Sequence, residues 1–552
     1  DTALTHILKV RMQLGMFDPP EMIPFTKIPP SVIGSKEHQE LARQVSRESM
    51  VLLKNDKVGG VPLLPLNEKK LKKIAVVGPI AAILQFGDYS GTPVNEPVTI
   101  LDGLKKRLGG RVEISNFEWR PAPEYTRFMP VPIPGIKAEY FTNGDMSGKP
   151  VAVRTEDSVN ITPAGAPDQV RTGEAISARW KGVLKPDATG MYNLYIIARG
   201  EASLLVNGKE VFRTQPVVKK KPKMKTGVAL DDEVYKAMTE KRRSAVVAFE
   251  AGKSYDIEVR YKLAKGEPMI RLEWVKPPAA PEAAREVEAI KSADVVIAVM
   301  GLKRDDEAEG MDRETLDLPN DQTEYLKQLV SLNKNVVAVL VHGSPLSINW
   351  MKEGMPAILE AWYPGEQGGN AVADVLFGDY NPAGRLTTTS FKSVDDLPSF
   401  DDHEVYNGRT YMYFKGEPLF PFGYGLSYSE FEYSGLKLDR ASAAPGDVVN
   451  VVLNVKNKGP RDGDEVVQVY VRDLAPGENK PNKRLCGFKR VGIKNGATAR
   501  VEIPVKISDL GYWNVERHRF EVEPGKYEIQ VGASSADIRQ TATMDVAGGP
   551  AK

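Results

Sequence analysis

The sequence predicts a multidomain chain, α/β plus all-β, in which an α/β sandwich is joined to β-sandwiches. Three observations predict it. Four short apolar runs, Lys73-Ile-Ala-Val-Val-Gly78, Ala293-Asp-Val-Val-Ile-Ala-Val-Met-Gly301, Asn335–Val341 and Ala357-Ile-Leu-Glu-Ala361, are rich in β-branched residues and lack polar alternation. Strands buried on both faces read this way. Helical stretches lie between them, and alternating strands and helices imply parallel strands covered on both sides. Two further regions, 133–277 and 431–552, instead alternate apolar and polar residues with period two, as half-buried strands do.

The elements follow in order. Residues 1–56 read as two helices joined by a connector that prolines 19, 20, 24, 29 and 30 keep extended. Ser35 or Ser31 caps the second helix, which runs toward Asn55. The first helix carries Leu4, Leu8 and Arg11 at helical spacing and starts without a lead-in, so it reads as the continuation of something upstream. It lacks the basic-then-apolar order of a signal peptide. The α/β unit occupies 57–132 and 278–430, with a helix from Thr99 to Leu108 and another from Asn320 to Leu332. The interruption at 133–277 is an all-β sandwich with strands at Ala138, Ala178, Gly190, Ala202, Tyr255 and Ile270. Asn207-Gly208 marks a hairpin within it. Its basic run Val217–Lys225 is a solvated loop or a contact for a polyanionic glycan, and Asp231-Asp-Glu233 weakens the second reading. The final unit, 431–552, has alternating strands at Asp447–Lys456, Glu465–Arg472, Ala499–Val505 and Gly525–Gly532, as an immunoglobulin-like sandwich does.

Composition excludes several classes. The 552 residues are enough for three or four domains of about 100–200 residues each. A net charge of +1 gives no sign of a nucleic-acid partner. No apolar run approaches the ~20 residues needed to span a bilayer. The single cysteine, Cys486, rules out a disulfide within the chain, and five scattered histidines argue against zinc.

The chemistry-bearing stretch is Glu307-Ala-Glu-Gly-Met-Asp-Arg-Glu-Thr-Leu-Asp-Leu-Pro319, directly after the buried run ending at Gly301. Ligands bind at the carboxyl ends of such strands. A carboxyl there suits a general acid for a leaving oxygen, and the plainer reading is a solvated acidic loop. If the loop is extended, Glu307 and Glu309 point the same way and one raises the other's pKa. Asp312 and Arg313 hold the loop. Trp362-Tyr-Pro-Gly-Glu-Gln-Gly-Gly369 follows another buried strand, but the apolar helix after it suggests that Gly368 and Gly369 serve close packing. Asp88 is a structural loop carboxylate, and Gly423-x-Gly425 is no nucleotide loop. His342-Gly-Ser344 lacks the partners of a serine hydrolase.

The acidic stretch with its following Gln, then Ala361-Trp-Tyr-Pro-Gly-Glu-Gln-Gly-Gly-Asn370 and Pro421-Phe-Gly-Tyr-Gly-Leu-Ser-Tyr428, resemble in order three signatures of glycoside hydrolase family 3. The resemblance covers nearly the whole chain. It implies that Glu309 is the catalytic acid/base, with Glu307 as the alternative because the two are one residue apart. It implies that 1–56 is the end of a catalytic barrel and a linker, that 133–277 is a protective-antigen-type sandwich, and that 431–552 is fibronectin type III-like. The insert borders the sugar site or is a passive spacer, and the last unit braces the others. The nucleophile would lie on the N-terminal barrel, in the same precursor or a separate chain, so this chain alone is expected to be inactive. Retaining glycosidases need both carboxyls and neither metal nor organic cofactor. The expected substrate is a β-linked oligosaccharide, trimmed of terminal xylose or glucose. Asn407-Gly-Arg-Thr-Tyr-Met-Tyr-Phe414 and Glu-Ala-Glu resemble the xylosidase branch, and the insert resembles the glucosidase branches. Family members are commonly exported, so a periplasmic or secreted location is implied. The competing class is a non-catalytic carbohydrate-binding or scaffold protein.

Overall fold

The computed structural model describes the chain apart from residues 88, 118–128, 163–164, 172–174, 215–240, 265–266, 277–279, 305, 310–312, 320, 478 and 552. At its centre is a six-stranded sheet in the order Val51–Asn55, Ala357–Glu360, Val336–Val341, Val295–Gly301, Lys73–Val77 and Glu113–Asn116. The last five run parallel, and Val51–Asn55 runs antiparallel along the edge. Successive side chains leave a strand on opposite faces. Here both faces are buried. Ile74, Val76, Ile297 and Val299 pack with helices Ile100–Leu108 and Gly368–Phe377. Ala75, Val77, Ala298 and Met300 share the opposite core with Leu326 and Leu329 of helix Gln322–Leu332. That double burial is why the runs carry no polar alternation.

Two strands depart from the sequence expectation. The second helix ends at Ser49, not near Asn55, and Val51–Asn55 is a strand. Val51 and Leu52 are wholly buried, so pairing with Ala357–Glu360 outweighs local helix propensity. These residues, grouped by sequence with 1–56, therefore belong to the α/β sheet. Glu113–Asn116 extends the other edge with only partly buried side chains, which left no periodic signal.

The leading segment also differs. Helix Thr2–Gln13 has no buried residue, and the connector coils into 3-10 turns at Pro20–Met22, Pro24–Lys27 and Pro30–Val32 instead of staying extended. Each turn begins on proline, whose fixed φ suits the first position of a helical turn as well as an extended chain. Ser35 caps helix Lys36–Ser49, its Oγ accepting the His38 N–H at 3.3 Å. Arg43 of that helix donates through Nε to Asp374 Oδ2 at 2.7 Å, tying it to helix Gly368–Phe377. Gly369 lets two helices meet backbone to backbone. A Cβ there would lie 1.9 Å from the Thr99 carbonyl oxygen, and one on Gly103 would lie 2.1 Å from the Gly369 oxygen.

Between Glu113–Asn116 and helix Ala280–Ser292 the chain leaves the sheet. It forms a six-stranded antiparallel sheet and a second sheet built on Lys241–Phe249, Gly190–Ala198 and Ile270–Val275. Both close on one core containing Trp180, Tyr192 and Trp274. Asn207 (φ 50°) and Gly208 (φ 76°) turn the hairpin Glu201–Val206 to Lys209–Arg213. Gln328 Nε2 donates to the Val246 carbonyl at 2.7 Å, seating these sheets on helix Gln322–Leu332. The basic run 217–225 and the acidic 231–233 lie outside the described residues.

From Phe431 the chain forms a three-stranded and a five-stranded sheet around one core, including the four expected strands. The segment Pro421-Phe-Gly-Tyr-Gly-Leu-Ser-Tyr428 is the seam. Leu426 N–H donates to Leu52 O at 2.8 Å, while the Gly423 carbonyl accepts from Gln468 Nε2 at 3.0 Å. Ser535 N–H reaches the Phe422 carbonyl at 2.9 Å. Beside it the buried Arg385 Nη2 pairs with Glu465 Oε2 at 3.0 Å. Among the described residues no helix is long and apolar enough to cross a membrane.

Candidate functional site

The strand order reverses between Lys73–Val77 and Val295–Gly301: the chain continues to opposite sides of the sheet from these two neighbours. A crevice at the carboxyl ends of strands forms at such a reversal and is where ligands bind in open α/β sheets. Loops leaving four adjacent strands meet there. They carry Tyr89, Glu307 with Glu309, Gly343 with Ser344, and Trp362 with Tyr363.

The acidic loop starts from a fixed point. Gly301 adopts φ 143°, and a Cβ there would fall 1.8 Å from the Val341 carbonyl oxygen. The buried Gln322 side chain holds both Gly301 backbone groups, accepting its N–H at 2.7 Å and donating to its carbonyl at 2.8 Å. Past this clamp, Asp306 accepts the Lys303 N–H at 2.8 Å, and Arg313 Nη2 donates to the Pro345 carbonyl at 2.6 Å. Arg313 thus holds the loop, as expected. Asp312, Gly310 and Asp88 lie outside the described residues.

Glu307 and Glu309 part company. Glu307 turns inward and is half-buried. Its carboxylate accepts the N–H of Gly343 at 2.7 Å and of Ser344 at 2.9 Å, and also the hydroxyls of Ser344 and Tyr363. Burial opposes its charge, but the donors of Ser344, Tyr363 and Gly343 together hold its pKa below the usual carboxylate range. Burial and the neighbouring carboxylate push the Tyr363 phenol up, which keeps it a proton donor. Glu309 turns outward, is exposed, and accepts a hydrogen bond from the Tyr89 hydroxyl. The two side chains therefore do not point the same way, and the hydrogen bonds on Glu307 lower its pKa, where a shared orientation would have raised one of the two. The physical reason is competition: four donors from the 343–344 and 363 turns outbid any shared orientation of the loop.

A depressed pKa has a definite pH consequence. Glu307 contributes stability in full above the unfolded glutamate value and loses it as pH falls through the lower folded value. Glu307→Ala is expected to cost about 1–2 kcal/mol at pH 7, because it leaves the part-buried donors of Ser344 and Tyr363 unpaired. Urea unfolding at several pH values checks this: the gap to wild type should narrow below about pH 4.3. A gap unchanged down to pH 3 would contradict it.

Sequence reasoning missed Tyr89, Gly343, Ser344 and Tyr363. Each follows a strand end, and that position was the only available signal. Gly343 is required by space, since a Cβ would lie 2.8 Å from Tyr363 Cε2 and 3.2 Å from Glu307 Oε1. Trp362 sits at φ 54°, a left-handed conformation rare for a bulky residue, at the turn that presents Tyr363. Glu366, in the same stretch, accepts from Asn95 Nδ2 at 3.2 Å.

The chain is similar to known proteins along most of its length. Residues 50–428 match the glycosyl hydrolase family 3 C-terminal domain, and 465–535 match a fibronectin type III-like domain. The chain is 34% identical to a xylan 1,4-beta-xylosidase of Xylanibacter ruminicola, over 97% of this chain and 61% of the relative. It is 36% identical to a periplasmic beta-glucosidase of Salmonella typhimurium, over 98% of this chain and 54% of the relative. The solved beta-glucosidase of Kluyveromyces marxianus in complex with glucose superposes with a TM-score of 0.59 at 26% identity, covering 93% of this chain and 62% of that one. The chain thus spans between half and two thirds of the length of these relatives. A family model that covers most of the chain, and relatives matched along almost all of it, lead to one conclusion: this chain belongs to glycosyl hydrolase family 3.

Proposed function

We propose that the chain is the acid/base-bearing portion of a retaining, exo-acting β-glycosidase that removes terminal β-linked xylose or glucose from oligosaccharides. The observation that supports this is the different setting of the two glutamates. A general acid must be within reach of substrate, and a carboxyl gripped as an anion is poorly suited to give up a proton. Glu307 is gripped as an anion, whereas Glu309 is exposed beside Tyr89 at the reversal of the sheet. Glu309 is the acid/base: it protonates the departing glycosidic oxygen, then takes a proton from the water that releases the sugar. Glu307 anchors the loop. The nucleophile comes from a catalytic barrel preceding this chain, consistent with the length of the relatives, and attacks the anomeric carbon from the opposite face. The sheets of 133–277 are a protective-antigen-type sandwich bordering the site. The enzyme works in the periplasm or outside the cell, a reading favoured by the periplasmic relative, and needs no cofactor.

Purified 1–552 is expected to show no turnover of aryl β-xylosides or β-glucosides, and to gain it when joined to the barrel. Enzyme-like rates from the chain alone would overturn the two-part site. No turnover from the joined protein would favour a scaffold role.

A further inference from the structure

Beneath the loop lies a charged pair that the reaction scheme leaves unused. His342 and Glu360 stand at the ends of neighbouring parallel strands, their side chains 3% and 4% exposed. His342 Nε2 is 2.6 Å from Glu360 Oε2, and Nδ1 is 2.8 Å from the Ser344 carbonyl oxygen. A carbonyl can only accept, so Nδ1 carries a proton. The second ring nitrogen faces the Glu360 carboxyl, so both ring nitrogens are engaged. Glu360 Oε1 also accepts the Trp362 N–H at 3.2 Å. Burial works against the charge on His342, but Glu360 outweighs it, with the Ser344 carbonyl and Glu307 adding, so its pKa lies above the ordinary histidine value. Buried ion pairs contribute little net stability compared with apolar packing. What this one supplies is direction: one partner grips the Gly343–Ser344 turn and the other grips the Trp362–Tyr363 turn. Those two turns carry every donor described on Glu307.

We propose that His342, with Glu360 as its partner, is a positioning residue that locks both donor-bearing turns around Glu307 and thereby fixes the loop that presents Glu309. The catalytic consequence rests on Glu309 being the acid/base. The pair touches no reacting atom and acts only through Ser344 and Trp362.

Two double variants, both free of an unpaired buried charge, test it. In His342→Asn with Glu360→Gln, the asparagine amide occupies the place of Nδ1 and still reaches the Ser344 carbonyl. In His342→Gln with Glu360→Gln, the amide lies near the place of Nε2 and does not. Hydrogen exchange on the 552-residue chain should show the Gly343 and Ser344 amides opening at least about tenfold in the glutamine variant and staying protected in the asparagine one. In the barrel-joined enzyme, kcat should fall about tenfold with KM unchanged in the glutamine variant, with recovery in the asparagine variant. Unchanged exchange in the glutamine variant overturns the proposal. Open amides with unchanged kcat instead overturn the assignment of Glu309. If the glutamine variant does not fold, nitrogen-15 histidine spectra of the wild-type chain decide: both His342 ring nitrogens should be protonated at pH 7, and a single neutral tautomer overturns the pair.

Discussion

Glu309→Ala, in an enzyme that joins this chain to its barrel, is expected to lower kcat by about 10²–10⁴-fold on substrates with poor leaving groups. The loss comes from the proton that the glycosidic oxygen no longer receives. A nitrophenolate leaves without that proton, so glycosylation of such substrates should be nearly spared and breakdown of the glycosyl-enzyme should become limiting. Azide should then restore turnover, because an anion needs no general base. Steady-state rates across a leaving-group series, with and without azide, check each part. Equal loss on every substrate with no azide rescue would move the role off Glu309. Glu307→Ala should behave differently. It removes an anchor, so its damage should appear in stability as well as rate and should not be rescued by azide.

The second large effect concerns packing. Gly369→Ala should destabilise the chain by more than about 3 kcal/mol, the upper end for overpacking. Helix propensity alone favours alanine by about 1 kcal/mol. Sterics decide the sign, because the new methyl would sit 1.9 Å from the Thr99 carbonyl oxygen and 2.8 Å from that of Val98. Neither is a flexible side-chain end; both belong to the backbone at the start of helix Ile100–Leu108. Urea denaturation monitored by far-UV circular dichroism checks this, and a variant as stable as wild type would contradict the close crossing. The Trp362–Gly369 stretch therefore has two jobs. Gly369 sets helix spacing, whereas a Cβ on Gly368 would meet only Pro364 of its own stretch, and Tyr363 reaches Glu307.

What could be read in the sequence was what repeats. Val295–Gly301 and Val336–Val341 announce themselves because both faces are buried and every position must be apolar. Val448–Asn457 announces itself by alternation because only one face is buried. Val51–Asn55 was hidden because five apolar and polar residues after a helix look like more helix, and its strand partner lies some 300 residues away. The site was half legible for a similar reason. Two glutamates with one alanine between them, in a loop after a buried strand, could be spotted, but not which one turns inward. That choice is made by Gly343, Ser344 and Tyr363, which come from other strands and have no fixed spacing from the loop. The histidine at 342 was weighed for nucleophile chemistry, and nothing local could reveal a carboxylate eighteen residues later on the next strand.

The seam at residues 421–428 has a mechanical consequence. One short strap is hydrogen-bonded on one side to the edge strand at Leu52 and on the other to Gln468 and Ser535, with Arg385 and Glu465 closing the gap beside it. Loosening the C-terminal sandwich would take Glu465 away from the Arg385 guanidinium and free the border of the central sheet. The two units are thus expected to melt together, as one calorimetric transition, with the terminal sandwich acting as a thermal buttress for the central sheet.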